Sequence, residues 1–372
     1  MRRVLCVIRK EFLQVSRDRA MVFLIFMAPI VQLLVLGYVV SSEVRHLATI
    51  VDDRDRSAQS RELVARLEKS PYFDVLRIAG EGRGLREHLD RGLASVALVI
   101  PPNFSQDVVA GHSPALQVIL DGQDANTSNV ALGYASGLLN DLLSEQVQRK
   151  AALLGFRPHI VQPRVQVWFN PELKYRNYMV PGIVAFLLTL TTSLLSGMGL
   201  VREREVGTLE QLNVTPIRPH ELLLGKTIPF AVLGVAEVTL AIAVARLWYH
   251  IPLAGNLGLL ALFVVVFLFT TLGIGLFVSS SSTTQQQAMF LTWFVLIFAL
   301  ITSGFLFPIE NMPWWIQGLS YFNPLRYFMV VVREIFIKGS GMAELWQQGA
   351  ILAAFGLLIL LVSARRFEKR IR

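Results

Sequence analysis

The 372-residue chain reads as a polytopic α-helical membrane protein. It has six transmembrane helices, with an α/β extracytoplasmic domain inserted between the first and second spans. Three observations lead there. Hydrophobic residues make up 53% of the chain and charged residues only 17%, against about 25% charged in soluble domains. Six stretches approach the ~20 apolar residues that a bilayer requires. Between the first two, Glu43 to Arg176 carries sixteen basic and sixteen acidic residues and has the composition of a soluble segment.

Residues 1–19 come first. Leu5, Ile8, Phe12 and Val15 recur at helical spacing, and Arg2, Arg9, Lys10 and Arg17 supply a basic side. This pattern predicts an amphipathic helix lying in the headgroup layer rather than a disordered basic tail. Cys6, the only cysteine, allows no intrachain disulfide and reads as a small apolar residue. The first span covers 20–40 and is longer than a signal-peptide core of ~7–15 residues, so it is read as an uncleaved anchor.

The segment 41–177 alternates strand-like and helix-like patterns. Leu47 to Asp53, "YFDVLRI", "ASVALVIP" and "ALQVILD" read as strands; "SAQSRELVARLEKS" and "GLREHLDRG" read as helices. A longer helix is expected from about Ala125 to Leu154. Such alternation predicts an α/β domain. Asp52, Asp53 and Asp55 suit a polar turn better than a cation site.

Residues 178–364 form a five-span membrane domain. Its spans are expected at Tyr178–Val201, Ile228–Tyr249, Leu257–Val278, Ala288–Phe307 and Leu345–Ser363, followed by a basic tail, 365–372. The net charge of +8 is concentrated at the two termini, which six spans place on one side. The positive-inside rule makes that side cytoplasmic. The same distribution argues against nucleic-acid binding and for the lipid bilayer as a partner.

Gly225-Lys226-Thr227 match the end of a phosphate loop, but the residue five before Gly225 is His220, not Gly. The residues between are helix formers, so the match is read as accidental. Lys226 is expected to mark the cytoplasmic edge of the third span, its ammonium among the headgroups.

The loop 202–218 carries more. Gly207 breaks the helix of the second span, Thr208 can cap a short new one, and Pro216 ends it. Glu203, Arg204, Glu205 and Glu210 give that segment a charged side. It is read as a docking element for a cytosolic partner, against a solvated turn. Within the third span, Glu237 is an intramembrane carboxylate and hence a functional candidate. It either hydrogen-bonds a neighbouring helix or serves a cationic substrate or a proton.

The stretch 308–340 reads as a re-entrant outer hairpin. Pro308, Pro313 and Pro324 cut it into short helices, and Trp314 suits the interface. Arg326 there needs a partner or water; pairing with Glu310, or of Arg333 with Glu334, stays open.

Two of these stretches, "REREVGTLEQLNVTPIRPHELLLGKTIPF" and "SGFLFPIENMPWWIQGLSYFNPLRY", make the chain resemble a permease subunit of the type-2 ABC exporter family. "RKEFLQVSRD", "IVDD", "VIPPNFSQDVVAG" and "LDGQDANTS" fit the bacterial multidrug-efflux-like branch with a large outer domain. The resemblance implies a permease, not an enzyme, in the bacterial inner membrane with both termini cytoplasmic. It implies pairing with a second copy or a sibling permease, and docking of a separate cytosolic ABC ATPase. ATP-Mg would sit on that ATPase, with no cofactor or metal on this chain. A membrane-fusion protein is a further candidate partner. Residues 4–18 would be the connector helix and Glu203 to Pro216 the coupling helix. The implied substrates are hydrophobic or amphipathic compounds. The alternatives are lipid or polysaccharide export, and a proton-coupled secondary transporter using Glu237.

Overall fold

The computed structural model describes residues 2–40, 46–77, 85–110, 115–123, 127–128, 131–138, 140–141, 144–145, 168–170, 174–207 and 218–371. The chain divides into two compact units. One joins Met1–Ser42 to Gln166–Arg372; the other is Glu43–Val165.

The first unit begins with α1 (Arg2–Arg17). The Asp18 carboxylate then accepts from the backbone N–H of Ala20 and Met21, at 3.1 and 3.2 Å, and starts α2 (Arg19–Val22). That helix continues through a π turn (Phe23–Met27) into α3 (Ala28–Val40). Pro29 has no N–H to give and its ring crowds the carbonyl four residues back, which is the ordinary cause of such a turn.

The second unit holds strands β1 (Leu47–Asp53), β2 (Phe73–Arg77), β3 (Val96–Ile100) and β4 (Gln117–Leu120), with helices α4 (Ala58–Lys69), α5 (Leu85–Asp90) and α6 (Phe104–Ala110) between them. The sheet order is β2-β1-β3-β4, with β1 parallel to β2 and β3, and β4 antiparallel. Side chains alternate across it as the two-residue strand period requires. Leu47, Val51, Leu98 and Ile100 pack with Leu63, Leu67 and Phe104 on one face. Ile50, Ala97 and Val99 meet Leu85 on the other. The aspartates of the β1 turn are engaged locally. Asp53 accepts from Arg56 N and Ser60 Oγ, at 2.9 and 2.7 Å, and Asp55 from Ser105 Oγ at 3.1 Å. Of the longer helix expected from about 125 to 154, residues 131–138 are helical, and much of the remainder lies outside the described residues.

The first unit resumes with α7 (Tyr175–Glu205), α8 (Pro219–Leu247), α9 (Leu257–Ser281) and α10 (Gln285–Thr302). A 3-10 turn (Ile309–Asn311), α11 (Trp314–Ser320), α12 (Pro324–Arg333), a π turn (Glu334–Lys338) and α13 (Met342–Ile371) follow. Among the described residues, six helices are long and apolar enough to cross a membrane. Helix α8 starts at Pro219, where proline suits the first helical position and Glu221 accepts from Arg218 N at 2.9 Å, so the helix begins before the expected membrane span does. Helix α10 stops at Thr302 rather than Phe307. There the Asn323 amide answers the helix end, donating to Ala299 O and Thr302 Oγ1 at 2.7 and 2.9 Å.

Helix α7 is the central strut, largely buried among its neighbours. Its seam with α9 is built from small and hydroxylic residues, the usual adhesive between helices in lipid. Thr192 Oγ1 donates to Thr271 Oγ1 at 2.8 Å, and Ser196 Oγ to Leu272 O at 2.9 Å. The backbones come so close that a Cβ on Gly275 would lie 2.6 Å from Ser193 O and 2.8 Å from Gly197 N.

Candidate functional site

At the foot of the membrane unit, four charged side chains converge from three helices. Glu11 comes from α1, Glu203 from the last turn of α7, and Lys226 from the second turn of α8. The Lys226 ammonium lies 3.1 Å from Glu11 Oε1, 3.0 Å from Glu203 Oε2 and 3.3 Å from the Gly199 carbonyl. Lys10 bonds the other Glu203 oxygen and lies 3.1 Å from Glu11. Two cations therefore balance two carboxylates. Burial would pull the Lys10 pKa down, but its bond to Glu203 and the charges of both carboxylates outweigh that and raise it above the usual lysine value.

This arrangement corrects the expectation for Lys226. Its side chain is 4% exposed and reaches no headgroup; it is spent inside the protein. The preceding glycine serves the same contact. A Cβ on Gly225 would lie 2.6 Å from Val7 Cγ1, so its absence lets α1 press against α8. Gly225 to Thr227 are helical, and their backbone N–H groups are committed to the helix rather than free to cradle phosphate. The apolar stripe of α1 is also redrawn. Val7, Glu11 and Val15 face inward, whereas Leu5 is exposed.

The remaining charges of this foot bind it to its neighbours. Arg202 pairs with Asp18 at 3.0 Å, and that hydrogen bond, helped by the backbone N–H of Met21, holds Asp18 below the usual carboxylate range. Arg204 donates to Ser282 O at 2.6 Å, at the end of α9. Glu205 accepts from Gln285 N at 2.7 Å, and from its side-chain amide, at the start of α10. Helix α7 ends at Glu205, and Gly207 takes φ +78°, a left-handed conformation that favours glycine. Glu203, Arg204 and Glu205 are thus the last helical turn, not loop. Thr208, Glu210 and Pro216 lie outside the described residues.

Glu237 sits apart, buried on α8. Thr191 Oγ1 donates to its Oε2 at 2.6 Å, while its Oε1 has no hydrogen-bond partner among the described residues.

In the stretch 308–340 each proline opens an element. Pro308 precedes the 3-10 turn, Pro313 precedes α11, and Pro324 is the first residue of α12. Trp314 is exposed. Neither acid–base pairing left open by the sequence forms. Arg326 stacks on the Tyr321 ring, 4.1 Å from its centroid, and bonds Ser320 Oγ. Arg333 donates to Gly304 O at 3.0 Å and covers the Tyr178 ring at 3.7 Å, and Glu334 takes Lys338 at 2.8 Å.

Sequence reasoning singled out Glu203, Arg204 and Glu205 but missed Lys10 as the partner of Glu203, Glu11 as the second carboxylate of the cluster and Asp18 as the partner of Arg202, and it misplaced Lys226. One signal was available. Glu11 is the only acid in α1 and lies four residues from both Val7 and Val15, on an otherwise apolar stripe.

A family model described as ABC-2 family transporter protein matches residues 19–365. The chain is 28% identical over 344 residues to the probable multidrug ABC transporter permease YbhR of Escherichia coli K12, covering 92% of each. It is 29% identical over 340 residues to the probable multidrug ABC transporter permease YbhS of the same strain, covering 91% of this chain and 89% of the relative. With the inner membrane transport permease YhhJ of that strain it shares 28% over 369 residues, 97% and 96% of the two.

Proposed function

Since the chain belongs to the ABC-2 family of transporter proteins and is a permease of that family, we propose that it is the membrane subunit of an ATP-driven exporter of hydrophobic or amphipathic compounds. In this reading it pairs with a second copy or a sibling permease. Each permease docks a separate cytosolic ABC ATPase that holds the ATP-Mg, and a membrane-fusion protein completes the assembly. Both termini and the 202–218 segment face the cytoplasm; the inserted α/β unit faces outward. The multidrug designation of YbhR and YbhS supports drug-like substrates.

The observation that carries the coupling role is the charge cluster at the foot of α7. The 208–217 segment leaves the chain just after Glu203–Glu205 and rejoins it just before α8. Those three residues are bonded to α1, to Lys226 of α8, to the end of α9 and to the start of α10. Force applied by an ATPase at 208–217 would therefore reach four helices through short charged contacts, without bending any of them. Two copies meeting in the membrane are supported by Gln32. It is exposed midway along the first span and makes no side-chain hydrogen bond among the described residues, where an unanswered amide is costly.

The test uses the permease co-expressed with its ATPase in vesicles. Glu205→Lys removes the acceptor for Gln285 N and reverses a charge on the docking side. It is expected to insert normally but to lose substrate-stimulated ATP hydrolysis and export together. Normal stimulated hydrolysis in this variant would remove the coupling assignment. Orientation is read separately from exposed Cys6. A membrane-impermeant maleimide should label it in inside-out vesicles and not in sealed cells.

Glu237 favours a second reading through its unanswered Oε1, as a proton relay in a secondary transporter. Glutamine retains a hydrogen-bonding oxygen for Thr191 and cannot carry a proton. Glu237→Gln should therefore leave export unchanged across pH. Export that fails while the folded protein accumulates would favour the relay.

A further inference from the structure

Beside the third span, a lateral groove of about 380 Å³ opens between α8 and α9. Its walls are apolar: Val235, Val238 and Ile242 of α8 face Leu260 and Val264 of α9, and Leu253 closes one end. Arg246 is the one charged residue among those that line it. Val235, Val238, Ile242 and Arg246 follow at three, four and four residues, so they form one stripe along α8. At 1.5 Å per residue the stripe is ~16 Å long, close to the ~15 Å hydrocarbon depth of one leaflet. It runs from near the middle of the span, beside Glu237, to the helix end remote from Lys226.

The Arg246 guanidinium is exposed and makes no ion pair, hydrogen bond or ring contact among the described residues. This distinguishes it from Arg326 and Arg333, which are tied to rings and carbonyls. A cation at the end of an apolar channel about one leaflet long is complementary to an anionic amphiphile. We propose that this groove is a binding site for an anionic phospholipid, one acyl chain lying along Val235–Ile242 and the phosphate on Arg246. Two oxygens of a phosphate suit the planar fork of arginine, and the charge-assisted bonds favour an anionic headgroup. The floor suits a chain rather than a bulkier body. Beneath Val238, Ile242, Leu260 and Val264 only a narrow cleft of about 10 Å³ continues toward Phe328 and Val332. The site does not depend on what the protein exports or on which side ATP acts.

The experiment uses the full chain purified in mild detergent, with dioleoyl-phosphatidylglycerol and dioleoyl-phosphatidylcholine titrated in competition and bound lipid counted by native mass spectrometry. The wild type should retain one phosphatidylglycerol in preference to phosphatidylcholine by about fivefold, the size of one cation–headgroup attraction near a membrane surface. Arg246→Gln should reduce that preference to about unity while a chain is still retained. Ala261→Trp, which fills the groove from its α9 wall, should lose the retained molecule of either lipid. Arg365→Gln, an exposed arginine elsewhere, should behave as wild type. A preference that survives Arg246→Gln, or that falls equally in Arg365→Gln, overturns the proposal. So does disulfide cross-linking between two copies through Ala261→Cys in a Cys6→Ser background, because a second copy would then cover the groove.

Discussion

Lys226→Met is expected to destabilise the membrane unit by about 3–5 kcal/mol, the cost of removing one partner from a buried ion pair. The wild-type cluster balances two carboxylates with two cations. Without Lys226, Glu11 and Glu203 share Lys10, whose side chain is 44% exposed, while both carboxylates are only 4% exposed. The penalty comes from the uncompensated buried charge rather than from the lost attraction. A companion variant separates the two. Glu11→Leu combined with Lys226→Met removes one charge of each sign and leaves Lys10 with Glu203. Replacing a buried pair by apolar residues of similar size is often neutral or stabilising, so the double variant should recover most of the loss. Thermal melting in detergent reads both. If the single variant melts with the wild type, water reaches the cluster and its burial is not as described. If the double variant is as damaged as the single one, the loss is one of packing rather than charge.

Gly275→Val is expected to prevent stable accumulation in the membrane. The atoms that its Cβ would meet are the backbone Ser193 O and Gly197 N and the Cβ of Ser196, which is fixed to the backbone. They cannot rotate away, so α7 and α9 must separate. Overpacking typically costs 1–3 kcal/mol and occasionally more. Separation would also break the hydrogen bonds from Thr192 to Thr271 and from Ser196 to Leu272. Gly275→Ala is a milder and more diagnostic test. Alanine gains about 1 kcal/mol of helix propensity over glycine, so any net loss has to come from the clash. Gly318→Ala, where a Cβ meets nothing within 4 Å, should be harmless and controls for a general effect of glycine replacement. Expression and monodispersity of a fluorescent fusion would report all three, and a well-behaved Gly275→Val would show that the two helices are not in such close contact.

The legible parts of this protein are those governed by local rules. Lipid leaves backbone groups no partner outside the chain, so each crossing must be a helix of some twenty apolar residues, and such stretches are visible in sequence. Proline starts, as at Pro219 and Pro324, and the stop near Gly207 follow from the chemistry of one residue. The strands of the second unit were visible for the same reason, because a short apolar run, or the two-residue alternation of "YFDVLRI", is a property of neighbours. The fates of the charged side chains were not visible. Arg333 did not take the adjacent Glu334; it took carbonyls and a ring brought from elsewhere in the fold. Glu205, legible as a charge on a docking segment, turns out to hold the first backbone N–H of a helix eighty residues on.

From sequence alone, this chain was determined to be a polytopic membrane protein with an inserted α/β segment, because composition and periodicity are sums over neighbouring residues; that it is a permease came from its resemblance to a family. Only the tertiary structure decided that Lys226 belongs to Glu11 and Glu203 rather than to headgroups, because a charge inside a protein settles on whichever opposite charge the packing of distant helices brings within about 4 Å.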